Sequence, residues 1–456
     1  MNTSRRRFIQ GCAAVVGGSA MSHTLALGSA AGAADTPLTN WAGNYRYSTA
    51  RLAHAASVRE VQEFVRAHER LKVLGSRHCF NGIADSAHQL LSLADMKAVV
   101  ALDGSARTVT VEAGLRYGEL CPYLHERGFA LHNLASLPHI SIAGACATAT
   151  HGSGVANGNL ATAVSGLEIV TAAGDVLTLS RARDTDTFPA AVVHLGALGV
   201  VTKVIHDVQP AFDMRQDVYL DLPMEAVEAH FDAIVSAAYS VSLFTDWQKR
   251  RVNEVWIKRR LGRDAAPPGT AGEFFGARAA KENVHPIVEL SAEHCTEQMG
   301  VPGPWYERLP HFRMGFTPSS GKELQSEYFV PRRHAVEAIL AIERLGPSVG
   351  PHLMISELRT IEADELWMSP AYRQPSLAIH FTWQQEPEAV GRLMPVIERE
   401  LAPFGVRPHW GKLFTLAGAD LKKRYERWDD FERLVAKHDP TGKFRNEFLR
   451  QFKGAG

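Results

Sequence analysis

Apolar positions along this chain change period several times, and each change predicts an element. Residues 58–69 place Val58, Val61, Phe64 and Val65 at helical spacing between charged residues, which predicts an amphipathic helix. The run Leu71-Lys72-Val73-Leu74 predicts a short strand that feeds a glycine-containing loop. Residues 99–103 and 108–112 flank Gly104-Ser105-Ala106 as strand, turn and strand, and residues 117–127 return to helical spacing. Further on, 167–171 and 175–179 bracket Ala173-Gly174 as a hairpin, and 195–202 predict a glycine-bearing turn into a strand. From Val218 onward, strands alternate with helices at 224–238 and 333–345, which predicts an antiparallel sheet with helices on one face. Pro267-Pro268-Gly269 and Pro302-Gly303-Pro304 mark loops within it. Residues 421–452 read as helical and charged, turning at Asp439-Pro440-Thr441-Gly442. The pattern predicts an α+β protein of two domains, 38–208 with mixed sheets and helices and 209–456 with the antiparallel sheet, Pro210 marking the boundary.

The first 34 residues follow a different logic. Ser4-Arg5-Arg6-Arg7-Phe8-Ile9 precedes a mildly apolar stretch and then Ala30-Ala31-Gly32-Ala33-Ala34, with no acidic residue before Asp35. That order is a secretory signal, and the paired arginines resemble a twin-arginine signal, so export by that machinery to the periplasm or beyond is expected. The chain as a whole looks like a soluble globular protein: of its 456 residues, 45% are hydrophobic and 21% charged. Its 49 basic and 49 acidic side chains cancel, which leaves no one-signed field for nucleic acid or an anionic membrane. No later run is apolar enough to span a bilayer, and a monomer is expected. Beyond Cys12 in the signal, Cys79, Cys121, Cys146 and Cys295 form no CxxC pair and no dense scaffold, so buried free thiols are expected.

Two loops carry candidate chemistry. One is Leu74-Gly75-Ser76-Arg77-His78-Cys79-Phe80-Asn81-Gly82. The other runs from Ala135-Ser136-Leu137-Pro138-His139-Ile140-Ser141-Ile142-Ala143-Gly144 to Thr148-Ala149-Thr150-His151-Gly152-Ser153-Gly154. Poor in charge and rich in Gly, Ser and Thr, they offer many backbone N–H groups with little bulk, a surface able to wrap a diphosphate. The dinucleotide fingerprint is absent: Gly152 to Gly158 has the wrong spacing and no preceding strand, which argues against a nicotinamide enzyme of the Rossmann type. No zinc helix, nucleophile elbow or phosphate loop appears either. His139 and His151 lack metal-ligand partners at diagnostic spacing, so they read as loop histidines beside a cofactor, and no metal is expected.

Three segments stand out in the second half: Ser356-Glu357-Leu358-Arg359-Thr360, Ala378-Ile379-His380-Phe381-Thr382-Trp383 and Arg407-Pro408-His409-Trp410-Gly411-Lys412. On strands, Glu357 and Arg359 share one face, as do His380 and Thr382. A lone Glu–Arg pair is commonly structural, and a lysine beside an aromatic is commonly solvated. The set is another matter, because carboxylate, guanidinium, imidazole, hydroxyl and ammonium together line a pocket for a molecule dense in hydroxyls.

The two loops resemble the FAD-binding loops of the vanillyl-alcohol-oxidase type of flavoprotein, and the three later segments resemble the substrate-side motifs of the alditol oxidases. The resemblance runs from about Asn40 to the end. It implies an FAD-binding first domain and a substrate (cap) domain whose last segment returns to the flavin. FAD contacts are implied at Gly75, Ser76, Arg77, His78, Cys79, Phe80 and Asn81, at Ser136, Ser141, Gly144, Thr148, Ala149, Thr150 and His151, and at Val200 near the adenine end. A single covalent bond is implied through His78, since Cys146 does not match the place of the second, cysteinyl attachment found in some relatives. Substrate contacts are implied at Ser136, Glu357, Arg359, His380, Thr382 and Lys412, with Arg359 and Lys412 stabilising charge in the reaction. The implied activity is oxidation of a primary hydroxyl of an acyclic polyol, such as xylitol or sorbitol, to the aldose, with O2 reduced to hydrogen peroxide. Three alternatives stay open: an aldonolactone oxidase or dehydrogenase, a polyol dehydrogenase using another electron acceptor, and a non-catalytic flavin or sugar-binding protein.

Overall fold

Strand alternation sorts the second half of the chain into two chemically opposite faces. The computed structural model describes residues 37–264, 272–315 and 322–452; the signal-like segment and Pro267-Pro268-Gly269 lie outside them. Among the described residues the largest sheet has ten strands, all pairs antiparallel. Its centre runs Arg251–Arg260, Ser240–Thr245, Leu353–Ile361, Ser376–Gln384 and Glu323–Pro331. Because successive side chains point to opposite faces, residues directly opposite across the ladder share a face. On one face, Leu243, Val255, Ile257, Leu358, Ile379, Phe381 and Trp383 are buried beneath three helices. These helices, Met224–Val235, Ala335–Arg344 and Pro387–Leu401, contribute Phe231, Ile234, Ile339, Ile342, Val390 and Ile397 to the same apolar layer. The helices-on-one-face expectation describes this arrangement. The opposite face carries Glu357, Arg359, His380, Thr382, Gln325 and Glu327, and no helix of that layer covers it.

The first half uses smaller sheets. Leu52–His54, Gln89–Ser92 and Leu71–Val73 pair in parallel, and helix Val58–Ala67, capped by Ser57 accepting from Glu60 N, buries Val61 and Val65. Val99–Asp103, Thr108–Glu112, Val200–Asp207, Val164–Val170 and Val176–Ser180 make an antiparallel sheet of five among the described residues. The second glycine-rich segment is less irregular than its composition predicts: Ile142–Ala147 is helical, with Ser141 at its N-cap. Small alanines in that run allow a helix turn where the glycines suggested only loop.

From Pro37 onward the chain clusters as one unit. Gln209–Pro210 pairs back onto Phe129–Ala130 at the predicted boundary. The tail breaks into Gly418–Lys422, Trp428–His438 and Glu447–Arg450, where the Asp439 carboxylate accepts from Lys443 N at 2.7 Å and Phe444 N at 2.9 Å to turn the chain. Trp428, Phe431, Phe444 and Phe452 join Val61, Val65 and Leu71 in the core of the first half. No described helix is long and apolar enough to cross a membrane, and all four described cysteines are unpaired thiols, three of them buried and Cys79 partly so.

Candidate functional site

The strand Leu71–Val73 ends before Leu74, and the chain then bends through Arg77 at φ 60°, a left-handed turn unusual for a side chain of that size. This kink aims the His78 loop at a cavity of about 340 Å³. Backbone and amide contacts hold the loop there. Phe80 N donates to Gly411 O at 2.7 Å, and Asn81 Nδ2 donates to Trp410 O at 2.9 Å and to Lys412 O at 2.6 Å. Asn40 Nδ2 and Asn44 Nδ2 donate to the carbonyls of Cys79 and Phe80 at 2.9 and 3.0 Å. The second loop meets the first at Ser141, whose N–H donates to Ser76 Oγ at 3.3 Å. A Cβ on Gly75 or on Gly144 would lie 2.9 or 2.8 Å from Ser141 Oγ. The bare backbone of both glycines lines the cavity, with Ser76, Thr148 and Thr150 beside them. That is a cradle of amides and small hydroxyls which side-chain carbon would fill, and it fits the phosphates of a dinucleotide.

His78 lies in this cavity against Trp41 and Phe80, with ring centroids 4.7 and 5.7 Å away. Burial, then the nearby Lys412 and His139, push its pKa down to about 3. Its imidazole is therefore neutral at ordinary pH, with a lone pair to share.

Across the cavity stands the polar face of the large sheet. Arg359 Nη2 donates to Glu327 Oε1 at 2.8 Å, its Nε lies 3.5 Å from Glu357 Oε2, and its Nη1 donates to Ser136 Oγ at 3.3 Å. His151 Nε2 lies 3.1 Å from Glu327 Oε1, and His311 Nε2 lies 2.7 Å from Glu357 Oε1. Lys412 Nζ bonds Gln325 Oε1 and sits 3.3 Å from His380 Nε2, which is itself 3.2 Å from Gln325 Oε1. Thr382 lies opposite Gln325 and Ile355 in the ladder and also lines the cavity.

The charges are balanced locally. Burial alone would raise both glutamates, but His151 and Arg359 hold Glu327, and Arg359 and His311 hold Glu357, well below the usual carboxylate range. Burial works against the Arg359 charge; Glu357 and Glu327 outweigh it and raise its pKa. His380 is pushed down to about 3 by burial and by Lys412, so it is neutral. Burial also lowers Lys412, and Glu327 opposes that loss. The result is a buried wall holding two cations, the three carboxylates of Glu323, Glu327 and Glu357, and neutral hydrogen-bonding groups, with fixed dipoles that need little rearrangement during a reaction.

Of the residues singled out in the sequence, Gly75, Ser76, Arg77, His78, Cys79, Ser136, Ser141, Gly144, Thr148, Thr150, His151, Glu357, Arg359, His380, Thr382 and Lys412 line this cavity. Four others stand behind its wall. Phe80 carries Lys412 Nζ 5.3 Å from its ring centroid, Asn81 clamps the loop, Ala149 turns the backbone at φ 55°, and Val200 opens a strand beside the lining residues Gly199 and Val201. The sequence reading missed Gln325, Glu327 and His311. The first two had a signal: in Glu323–Pro331, Glu323, Gln325 and Glu327 alternate with Leu324, Ser326 and Tyr328. His311 comes from an irregular connection and had none.

A cavity between amide-rich loops, one of them bearing a neutral histidine, and faced by this wall suits an FAD-dependent oxidoreductase. Comparison with known proteins agrees. The FAD binding domain family matches residues 49–180, and the D-arabinono-1,4-lactone oxidase family matches residues 317–452. An alditol oxidase from a Streptomyces species is 45% identical over 418 residues, covering 91% of this chain and 98% of its own. The L-gulonolactone oxidase of Mus musculus is 26% identical over 439 residues, with 90% and 97% covered. The L-gulono-1,4-lactone dehydrogenase of Mycobacterium tuberculosis is 27% identical over 441 residues, with 91% and 99% covered. The chain belongs to the alditol oxidase family of vanillyl-alcohol-oxidase-type flavoproteins, and its cofactor is FAD.

Proposed function

We propose that this protein oxidises a primary hydroxyl of acyclic polyols such as xylitol and sorbitol to the aldose and passes the electrons to O2, forming hydrogen peroxide. One observation carries the reading: Lys412, Arg359, Glu357, His380, Thr382 and Ser136 line one cavity with His78. Each hydroxyl of a bound polyol needs a partner there, since an unpaired buried hydroxyl costs about 1–3 kcal/mol. Bound FAD supplies a two-electron acceptor that oxygen can reoxidise. The chain does the rest: Lys412 and Arg359 stabilise the alkoxide character that develops as the hydroxyl loses its proton, and the remaining groups orient the polyol. An anaerobic titration with xylitol, sorbitol and gulonolactone, followed by air, tests this. Bleaching of the flavin by a polyol and peroxide on admission of air are expected. Bleaching by gulonolactone alone would replace the reading with an aldonolactone oxidase, which the lactone oxidase family match over 317–452 supports. Bleaching by a polyol without peroxide would point to another acceptor.

His78 is proposed as the covalent anchor: its neutral imidazole would add to the flavin 8α carbon after that methyl group has lost a proton, leaving reduced flavin that O2 would reoxidise. Flavin fluorescence on a denaturing gel should vanish in His78→Ala. The site contacts named above, the division at 208/209 and export through the twin-arginine machinery complete the proposal. Replacing Arg5 and Arg6 with lysines should retain the protein in the cytoplasm, read by cell fractionation.

A further inference from the structure

Lys72 stands on Leu71–Val73, the strand that feeds the His78 loop, buried and on the cavity wall. Its Nζ donates to Gly196 O at 2.9 Å and to Leu195 O at 3.3 Å. These two residues follow one another in the left-handed region, at φ 56° for Leu195 and 66° for Gly196, and a Cβ on Gly196 would come within 3.0 Å of Nζ. His194, Leu195 and Gly196 line the cavity as well. Among the described residues no carboxylate forms an ion pair with Lys72. Asp439 acts on it through space, but its two oxygens accept from the Lys443 and Phe444 N–H groups. The other groups facing the amine are the Cys79 thiol and the neutral His194 ring, whose Nδ1 accepts from Gly196 N at 3.1 Å. Burial lowers the Lys72 pKa to about 7. A neutral amine has two N–H bonds, and the two carbonyls take both. A third exists only in the ammonium, and no described side chain supplies an anion to meet it.

We propose that Lys72 is the counter-ion of the FAD diphosphate: cofactor binding draws a proton onto the amine, whose third N–H then pairs with a phosphate oxygen. The diphosphate is the anionic part of FAD, and the loop amides that wrap it bring only partial charges. Arg77 and Arg116 also line the cavity, but both are exposed and screened by water; Lys72 is the buried cation on the loop side. The assignment needs FAD as the cofactor and does not depend on which substrate the enzyme oxidises.

The test reads cofactor affinity in the full chain, in a His78→Ala background so that no covalent bond masks it. Lys72→Met deletes the amine. Lys72→Gln deletes the charge but keeps N–H donors for the Leu195 and Gly196 carbonyls, and it carries the test alone should Lys72→Met not fold. At pH 7 both substitutions should weaken FAD about 10- to 100-fold, the range for a lost hydrogen bond to a charged group. ADP, which brings the diphosphate without the flavin, should lose the same factor as a competitor. At pH 8 the amine of the empty site is mostly neutral and the diphosphate raises its pKa, so binding takes up a proton. Calorimetry in buffers of different protonation enthalpy should therefore show most of one proton taken up through Lys72 and missing from both variants. Lys412, whose proton burial also weakens, contributes alike to all three proteins and cancels in the comparison. FAD affinity restored in Lys72→Gln would mean that the lysine only ties down the 195–196 turn, and overturns the proposal. So does a loss for FAD that ADP does not share, or a proton uptake that the substitutions leave unchanged.

Discussion

The two sides of the cavity are built on opposite principles. The loop side is made of backbone: Gly75 and Gly144 keep carbon away from the space around Ser141 Oγ. The sheet side is made of side chains: Glu357 and Arg359 from one strand and Glu327 from another satisfy one another, and Lys412, from a turn, is satisfied by Gln325. One side is injured by adding atoms, the other by removing them.

The largest effect should come from breaking the wall's central pair. Glu327→Ala would leave Arg359 buried without its 2.8 Å partner and deprive His151 of its acceptor. An uncompensated buried charge costs about 3–5 kcal/mol. Thermal unfolding should move down accordingly; an unchanged midpoint would mean water or Glu357 alone satisfies the guanidinium. Next in size is Lys412→Met, which keeps the stem and deletes the charge. Turnover should fall about 10²–10³-fold, the scale for a lost charge-stabilising donor, with the flavin spectrum intact. Normal turnover would remove Lys412 from the chemistry.

On the loop side the expected injury is inverted. Gly75→Val adds branched carbon where a Cβ already approaches Ser141 Oγ at 2.9 Å. Overpacking costs about 1–3 kcal/mol, and here it should fall on the cofactor, seen as a lower flavin-to-protein ratio with unfolding of the apoprotein little changed. Ser76→Ala removes one hydroxyl from the same cradle without adding bulk, so it should lower the flavin-to-protein ratio less than Gly75→Val does. Equal loss in both variants would erase the contrast between the two sides.

The same contrast explains what could be read from the chain. The loop side is contiguous, so its glycines and hydroxyls stand together in two strings, and His78 stands inside one of them. The wall is assembled across a ladder. Period-two alternation put Glu357 with Arg359 and His380 with Thr382, but the pairing of Glu357 with His380 and of His380 with Glu327 is a matter of register. Glu323–Pro331 has a legible alternation, but Glu323, Gln325 and Glu327 are the residues of any solvated strand face, and only the register places them against Lys412 and Arg359. His311 reaches Glu357 only through the docking of an irregular segment, whose His311 and Phe312 N–H groups donate to Ser136 O.

The smallest predicted effect concerns how Lys412 holds its proton. Burial lowers its pKa from the ordinary lysine value, and Glu327 opposes the shift. A role that needs the ammonium is present below that pKa and lost as pH rises through it, so kcat/KM should show an alkaline limb earlier than a free lysine would give. Lys412→Arg substitutes a guanidinium that keeps its proton across this range. The fork places its charge differently, so the plateau should drop, but the limb should move out to higher pH. If the limb stays where it was, it belongs to another group, and the charge on Lys412 is not what fails in alkali.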